Sequence, residues 1–275
     1  MTISKFQIIR KIAKINILRA IAIKYYSLIS KSTHLPYEES VFSDLDEDST
    51  LREINAQGYS LGIKLSPGLL KDVLSFCENN ETCVDRNRDE RLKISMTDET
   101  QPEKGTVFSY TNTYKDCEAV RKIAHDPKVL KIAKDYLGCS PKFIGSQIWW
   151  SYPHLDSDGK QTKTHLYGYH YDIDDLKFLK VFFYLNDVDE DRGPHVIIGN
   201  THKKKNYFEV KNRRLSDEIA NEKYSKDIKV INGKAGDGFF EDTFCYHKGT
   251  HPNKRRLLLQ FEFAINDFGN QNDDN

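Results

Sequence analysis

Apolar positions follow two different periods along this chain. Up to about residue 138 they recur mostly at helical spacing, and from residue 142 onward they alternate or form short continuous runs, as strands do. Residues 1–34 read as one basic amphipathic helix, with Lys5, Gln7, Arg10, Lys11 and Lys14 on one side and Phe6, Ile9, Ile12 and Ile23 among the apolar residues elsewhere. Residues 35–52 read as an exposed acidic linker, and "GYSLGIKLS" (58–66) has strand character. A helix is expected over 66–80, where Ser66 supplies the cap and Pro67 the preset first turn. Residues 79–105 are polar and irregular, the pattern of a mobile loop, and "VFSYTNTY" (107–114) alternates like a strand. One or two helices follow over 118–138, broken near Pro127 and ended by Gly138.

The later strands are expected at 143–151, 164–172, 178–187, 194–198, 228–232, 237–242 and 255–265, around a basic polar insert at 202–227. Short strands separated by Gly, Asn and Asp turns indicate a sandwich or barrel, here a single mainly β domain over 53–266 with flanking helices. The tail 267–275 reads as disordered.

Composition narrows the function classes. A chain of 275 residues that is 38% hydrophobic, with 15 Tyr and 15 Phe, can build one sizeable core. Basic and acidic residues number 41 each, so no overall positive field argues for nucleic acid. Cys77, Cys83, Cys117, Cys139 and Cys245 are odd in number and form no CxxC pair, so neither a disulfide framework nor a zinc site is expected, and a reducing cytoplasm is the default location. Charge is uneven, however: residues 1–37 hold seven Lys and Arg and no acid, while 38–53 hold seven acids and one Arg. No uncharged run approaches the roughly 18 residues of a spanning helix. Three readings of the N-terminal helix stay open: docking on its own domain or a partner, peripheral contact of residues 1–30 with an anionic membrane, or a cleaved targeting peptide.

The chemistry concentrates in His170-Tyr171-Asp172. Strand side chains at i and i+2 leave the same face, so His170 and Asp172 can enter one cavity while Tyr171 turns away. His-x-acid is a weak signal alone, since nine histidines among 41 acids give about one match by chance. A second match, His154-Leu155-Asp156, sits among Pro153, Ser157 and Gly159 in loop context, and ligands held by sheet backbone are better fixed. His247 is the expected third ligand, its other reading being a hydrogen-bonded histidine at a strand end. Two imidazoles and one carboxylate on one side of a metal leave coordination positions open, the arrangement of non-haem Fe(II) oxygenases. Arg255 and Arg256 open an otherwise apolar strand, where a buried charge requires an anionic partner. The far carboxylate of 2-oxoglutarate would serve; surface exposure is the other reading for one of the two.

The segments "GYHYDIDDLKFLKVFFYLNDVDEDRGPHVIIGNTHK" and "GDGFFEDTFCYHKGTHPNKRRLLLQFEFA" resemble the phytanoyl-CoA dioxygenase family, most closely its small bacterial members. The layout corresponds over residues 55–265 and is specific over 165–203 and 235–263. The resemblance implies a double-stranded β-helix, iron held by His170, Asp172 and His247, and 2-oxoglutarate anchored by Arg256, with Arg255 as the other position. It further implies that dioxygen and 2-oxoglutarate are consumed to hydroxylate a substrate C–H bond, releasing succinate and carbon dioxide. Asp172 favours hydroxylation over halogenation, because halogenating relatives replace that carboxylate with a small residue; desaturation and ring closure stay open as other outcomes. The family's usual turn Pro-Gly-Ser-His stands here as Gly199-Asn200-Thr201-His202, where Asn200 tolerates left-handed backbone.

Gln147, Trp149 and Ser151 on one strand, and Lys180, Tyr184 and Asn186 on another, are candidates to line a substrate pocket, with core packing the favoured reading for Trp149. His195 and His202 read as structural or exposed, and His165 and His251 lack ligand context. A small-molecule hydroxylase, its substrate a lipid, sugar or polysaccharide precursor, is therefore expected. The alternatives are a non-catalytic metal-binding β-barrel module and a protein hydroxylase of the same chemistry.

Overall fold

The computed structural model describes residues 4–29, 39–153, 168–203 and 205–269, and within them the change of period is a change of layer. Seven helices precede the β-rich half: α1 (Lys5–Ala13), α2 (Asn16–Ile29), α3 (Glu47–Gln57), α4 (Pro67–Asn79), α5 (Thr113–Asp116), α6 (Glu118–Ala124) and α7 (Pro127–Leu137). Strands β1 (Tyr59–Lys64), β2 (Thr82–Val84), β3 (Asn87–Leu92) and β4 (Val107–Tyr110) lie among them. Then come β5 (Lys142–Ser151), β6 (Tyr169–His170), β7 (Phe178–Tyr184) and β8 (His195–Ile198). The 202–227 insert holds α8 (Tyr207–Lys211), β9 (Arg214–Leu215) and α9 (Asp217–Tyr224). The chain closes with β10 (Ile228–Ile231), β11 (Asp237–Glu241), β12 (Tyr246–Gly249) and β13 (Arg256–Ala264).

These strands pair antiparallel into two sheets, β1-β11-β7-β13-β5-β4-β2-β3 and β10-β8-β12-β6-β9, the architecture of a double-stranded β-helix. Strand alternation sorts the side chains of the larger sheet. Along β7, Val181 and Phe183 join the cluster that the helices cover, while Phe182 and Tyr184 join Phe239, Leu258, Ile197 and Ile231 between the sheets. The same parity sends Leu257, Leu259 and Phe261 of β13 outward and leaves Arg256, Leu258 and Gln260 inside. One end of the barrel is thus filled with aromatic and aliphatic groups. The other end is left to polar ones.

Several expectations are corrected. The single N-terminal helix is two: α1 ends in a tight Ile15 N–H to Ile12 carbonyl turn, and α2 restarts at Asn16, whose side-chain amide donates to the Lys205 carbonyl at 3.1 Å. Docking on the domain breaks the periodic run. The acidic stretch is only partly linker, because Asp46 caps α3 by accepting from the Ser49 amide at 2.9 Å. Glu47 and Asp48 occupy its first turn, where the helix dipole favours acids, and Phe42 and Leu45 are buried. Residues 79–105 contain the β2–β3 hairpin, and 107–114 splits into β4 and α5. Of the strand expected at 164–172 only Tyr169–His170 is described as β6; His154, Asp156 and His165 lie outside the described residues. Of the tail, Phe268 packs on Phe6 with ring centroids 5.5 Å apart, and residues beyond Gly269 lie outside the described residues. The Gly199–His202 turn keeps its left-handed residue, Asn200 at φ 66°.

Candidate metal and cosubstrate site

His170 on β6 and His247 on β12 are direct cross-strand partners in the smaller sheet. Their imidazole centroids are 4.4 Å apart. Asp172 follows two residues beyond His170, held there by its backbone N–H donating to the Thr243 carbonyl at 2.8 Å. One carboxylate oxygen lies 4.0 Å from His170 Nε2 and the other 3.7 Å from His247 Nε2. All three ligand atoms fall within 4.8 Å of one another. The remaining ring nitrogens settle the tautomers. His170 Nδ1 is 2.9 Å from the Gly168 carbonyl and His247 Nδ1 is 3.0 Å from the Cys245 carbonyl. A carbonyl only accepts, so each Nδ1 carries a hydrogen, and each Nε2, the ligand atom of the neutral ring, is turned toward the carboxylate. Burial also lowers the His247 pKa to about 4, which keeps that imidazole neutral and able to ligate. Two imidazole nitrogens and one carboxylate, each on sheet backbone or two residues from it, suit a first-row metal with open positions.

Lys180, inward-facing on β7, lies 2.9 Å from Asp172, 2.9 Å from Asp174 and 3.7 Å from Glu262. Burial works to raise the Asp172 pKa, but the Lys180 ammonium beside it holds it well below the ordinary carboxylate range. On the far side of His247 stands a second buried pair. His195 stacks on the His247 ring at 5.5 Å, and its Nε2 is 2.7 Å from Glu241, which burial pushes up to about 7. His195 was expected to be structural or exposed; it is buried and lines the cavity. Its position was available from alternation, since Ile197 two residues on faces the inter-sheet cluster.

The cavity measures about 200 Å³ and gathers His170, Asp172, His247 and Arg256 with Gln147, Trp149, Ser151 and Lys180. Tyr184 is not among this group. It is four residues beyond Lys180 in the filled end of the barrel, and its hydroxyl donates to the Ile231 carbonyl at 2.8 Å. Asn186 instead donates to the Arg255 carbonyl at 3.3 Å. His202 is buried against Cys245, and His251 is outside the cavity lining.

Arg255 and Arg256 part company at the start of β13. Arg256 points inward, donates to the Gly193 carbonyl and runs past Gly249, where an added Cβ would sit 3.3 Å from Nη2. Arg255 faces the opposite way and donates to Tyr152 Oη at 3.1 Å and the Met96 carbonyl at 2.7 Å, with its guanidinium 4.3 Å from the Trp150 ring. A residue that sequence reasoning passed over also reaches the cavity. Arg86, in the β2–β3 turn at φ 66° after Asp85 at φ 45°, lines its mouth. It sits in the stretch read as loop, and nothing in the local pattern marks it.

The phytanoyl-CoA dioxygenase family model matches residues 45–272. The chain belongs to the phytanoyl-CoA dioxygenase family. No curated protein sequence matches it significantly. Among solved structures it is similar to the epimerase SnoN in complex with Fe3+, alpha ketoglutarate and nogalamycin RO, at TM-score 0.55 and 12% identity, covering 79% of this chain and 83% of that one. It is also similar to the carbocyclase SnoK from nogalamycin biosynthesis, at TM-score 0.52 and 17% identity, covering 82% and 86%. HygX from Streptomyces hygroscopicus with nickel and 2-oxoglutarate bound gives TM-score 0.51 and 14% identity, covering 78% and 86%. The chain, as a family member, is an iron- and 2-oxoglutarate-dependent oxygenase that uses dioxygen.

Proposed function

We propose that His170, Asp172 and His247 hold the ferrous iron, that Arg256 receives the far carboxylate of 2-oxoglutarate, and that the protein hydroxylates a C–H bond of a polar small molecule. The carrying observation is the convergence of three ligand atoms within 4.8 Å, with both Nδ1 atoms on backbone carbonyls and both Nε2 atoms turned toward one carboxylate. When bound, iron and 2-oxoglutarate supply the oxidising power, with release of succinate and carbon dioxide. Lys180 keeps Asp172 ionised and fixes its rotamer, as a hydrogen-bonded partner outside the metal ligands does. Arg256 offers a planar fork to a carboxylate in a buried setting, a contact worth about 1.5–3 kcal/mol.

The substrate class follows from what else lines the cavity. Gln147, Ser151 and Gln260 present amides and a hydroxyl, and Trp149 leaves its ring partly exposed beside them. Hydrogen-bonding groups around one aromatic face suit a hydroxyl-bearing, sugar-like compound better than a bare hydrocarbon chain. Solved neighbours that hold small molecules, nogalamycin RO in SnoN and hygromycin B in HygX, support a small-molecule substrate.

Anaerobic addition of Fe(II) and 2-oxoglutarate is expected to give a visible charge-transfer band, and a metabolite panel weighted to glycosides and polyols should contain a compound that stimulates succinate release. Absence of the band would sink the ligand assignment. Stimulation by unfolded peptides but by no small molecule would turn the reading to a protein hydroxylase.

A further inference from the structure

Helix α2 has two faces with different fates. Its inner face is fastened to the domain: Arg19 is buried, donates to the Leu176 carbonyl at 2.6 Å and lies 3.9 Å over the Phe244 ring. Ala22, Ile23 and Tyr26 pack on the core beside it. Its outer face carries Ile17, Leu18, Ile21, Tyr25, Leu28 and Ile29, all exposed, Ile17 at 73% and Leu28 at 77%. At 100° per residue these six fall within an arc of about 120°. Of the twelve exposed large apolar side chains among the described residues, eight lie between Ile8 and Ile29. So dense an apolar stripe on a soluble surface marks an interaction site. Because Arg19 and Asn16 lock the inner face, α2 cannot roll to hide the outer one.

We propose that the outer face of α2, with the cations of α1, docks the protein on an anionic lipid surface. Charge decides between occupants. Lys5, Lys11 and Lys24 are exposed, Arg10 and Lys14 half-buried, and residues 1–37 contain no acid to pair with them. A second copy would bring the same cations against these, which costs energy, whereas anionic headgroups complement them. Lysine stems cover apolar surface while their ammonium groups reach outward, and Tyr25 suits the headgroup level. At 14 residues α2 is about 21 Å long, short of the roughly 30 Å hydrocarbon core, so it lies in the plane of the surface. No helix among the described residues is long and apolar enough to cross a membrane.

Co-sedimentation of the full-length protein with vesicles tests this without any metal or substrate. With equal phosphatidylglycerol and phosphatidylcholine most of the protein should pellet, and with phosphatidylcholine alone most should not. Replacing Ile17, Ile21 and Leu28 together by Ser should lower the partition coefficient about tenfold or more. Lys11→Glu with Lys24→Glu should lower it by a similar factor and flatten its salt dependence. An unchanged melting temperature in both variants shows that the fold is intact. Equal pelleting of the wild type and both variants, or no pelleting at all, overturns the proposal. So does a lipid-free dimer that the triple Ser variant dissociates, which would assign the face to a second copy.

Discussion

Buried charge in this protein is handled in two ways, and the contrast separates architecture from chemistry. Outside the cavity Asp126, Asp175 and Arg255 find their partners within the chain itself. Asp126 accepts from the Lys128 and Val129 amides at the start of α7 and from Ser40 and Val41, all between 2.8 and 3.1 Å. Asp175 takes the Leu176 and Asn266 amides at 2.7 and 2.6 Å, and Arg255 spends its donors on the 95–96 carbonyls and Tyr152. Inside the cavity the hydrogen bonds of His170 and His247 are made through Nδ1, and Nε2 is turned to a carboxylate too distant to accept. A buried group whose partners are complete stabilises a fold. One whose ligand atom is aimed at shared space is built for something that binds there.

Breaking the cavity set should give the largest effect. Asp172→Asn or His247→Ala is expected to remove the Fe(II)–2-oxoglutarate band and reduce succinate release at least about 10³-fold, with the melting temperature little changed, because neither side chain holds the core together. The matched change outside, Asp126→Ala, should leave succinate release intact yet cost about 2 kcal/mol through the lost helix cap and its partners. A variant of Asp126 with normal stability and lost turnover would reverse the comparison.

The neighbouring arginines sharpen it next. Arg256→Ala should raise the 2-oxoglutarate concentration needed for half-maximal turnover by about 10–100-fold, the loss of one charge-assisted pair. Arg255→Ala should leave that requirement alone and lower the melting temperature by about 4–8 °C, since it frees the 95–96 segment. Exchange of these two phenotypes would mean that β13 runs one residue out of the register described.

Much of this was legible beforehand, for a definite reason. Strand parity is a property of the sequence, so Gln147, Trp149 and Lys180 could be placed on shared faces once the strands were recognised, whereas the choice of Arg256 over Arg255 came from the family resemblance. Parity does not say how far along the barrel a residue sits, and Tyr184 shares a face with Lys180 yet belongs to the packed end. The sequence reading stops at tertiary pairing. His195 was within reach of the alternation argument, but its meaning depends on Glu241, forty-six residues on and joined to it only in space. Arg86 reaches the cavity through a hairpin turn with two left-handed non-glycine residues, a conformation that local propensity argues against. The break between α1 and α2 likewise comes from Asn16 and Arg19 finding the domain surface, which no helical period contains.

The smallest effect should come from the residue that makes room for Arg256. Gly249 on β12 has no need of left-handed backbone, so its value lies in the space above it, where an added Cβ would stand 3.3 Å from Nη2 and 3.8 Å from Nη1. Gly249→Ala therefore asks a flexible guanidinium to shift by a few tenths of an ångström and leaves its charge in place. We expect a two- to five-fold rise in the 2-oxoglutarate requirement, about 0.4–1 kcal/mol, with the metal band retained and the melting temperature unchanged. The outcome grades the comparison, because a saturated structural arginine tolerates such a shift without any change in cosubstrate use. If Gly249→Ala left the requirement unaltered while Arg256→Ala raised it, Arg256 would act as a loosely placed charge; a rise in both shows that its planar fork is held in register with the carboxylate it receives.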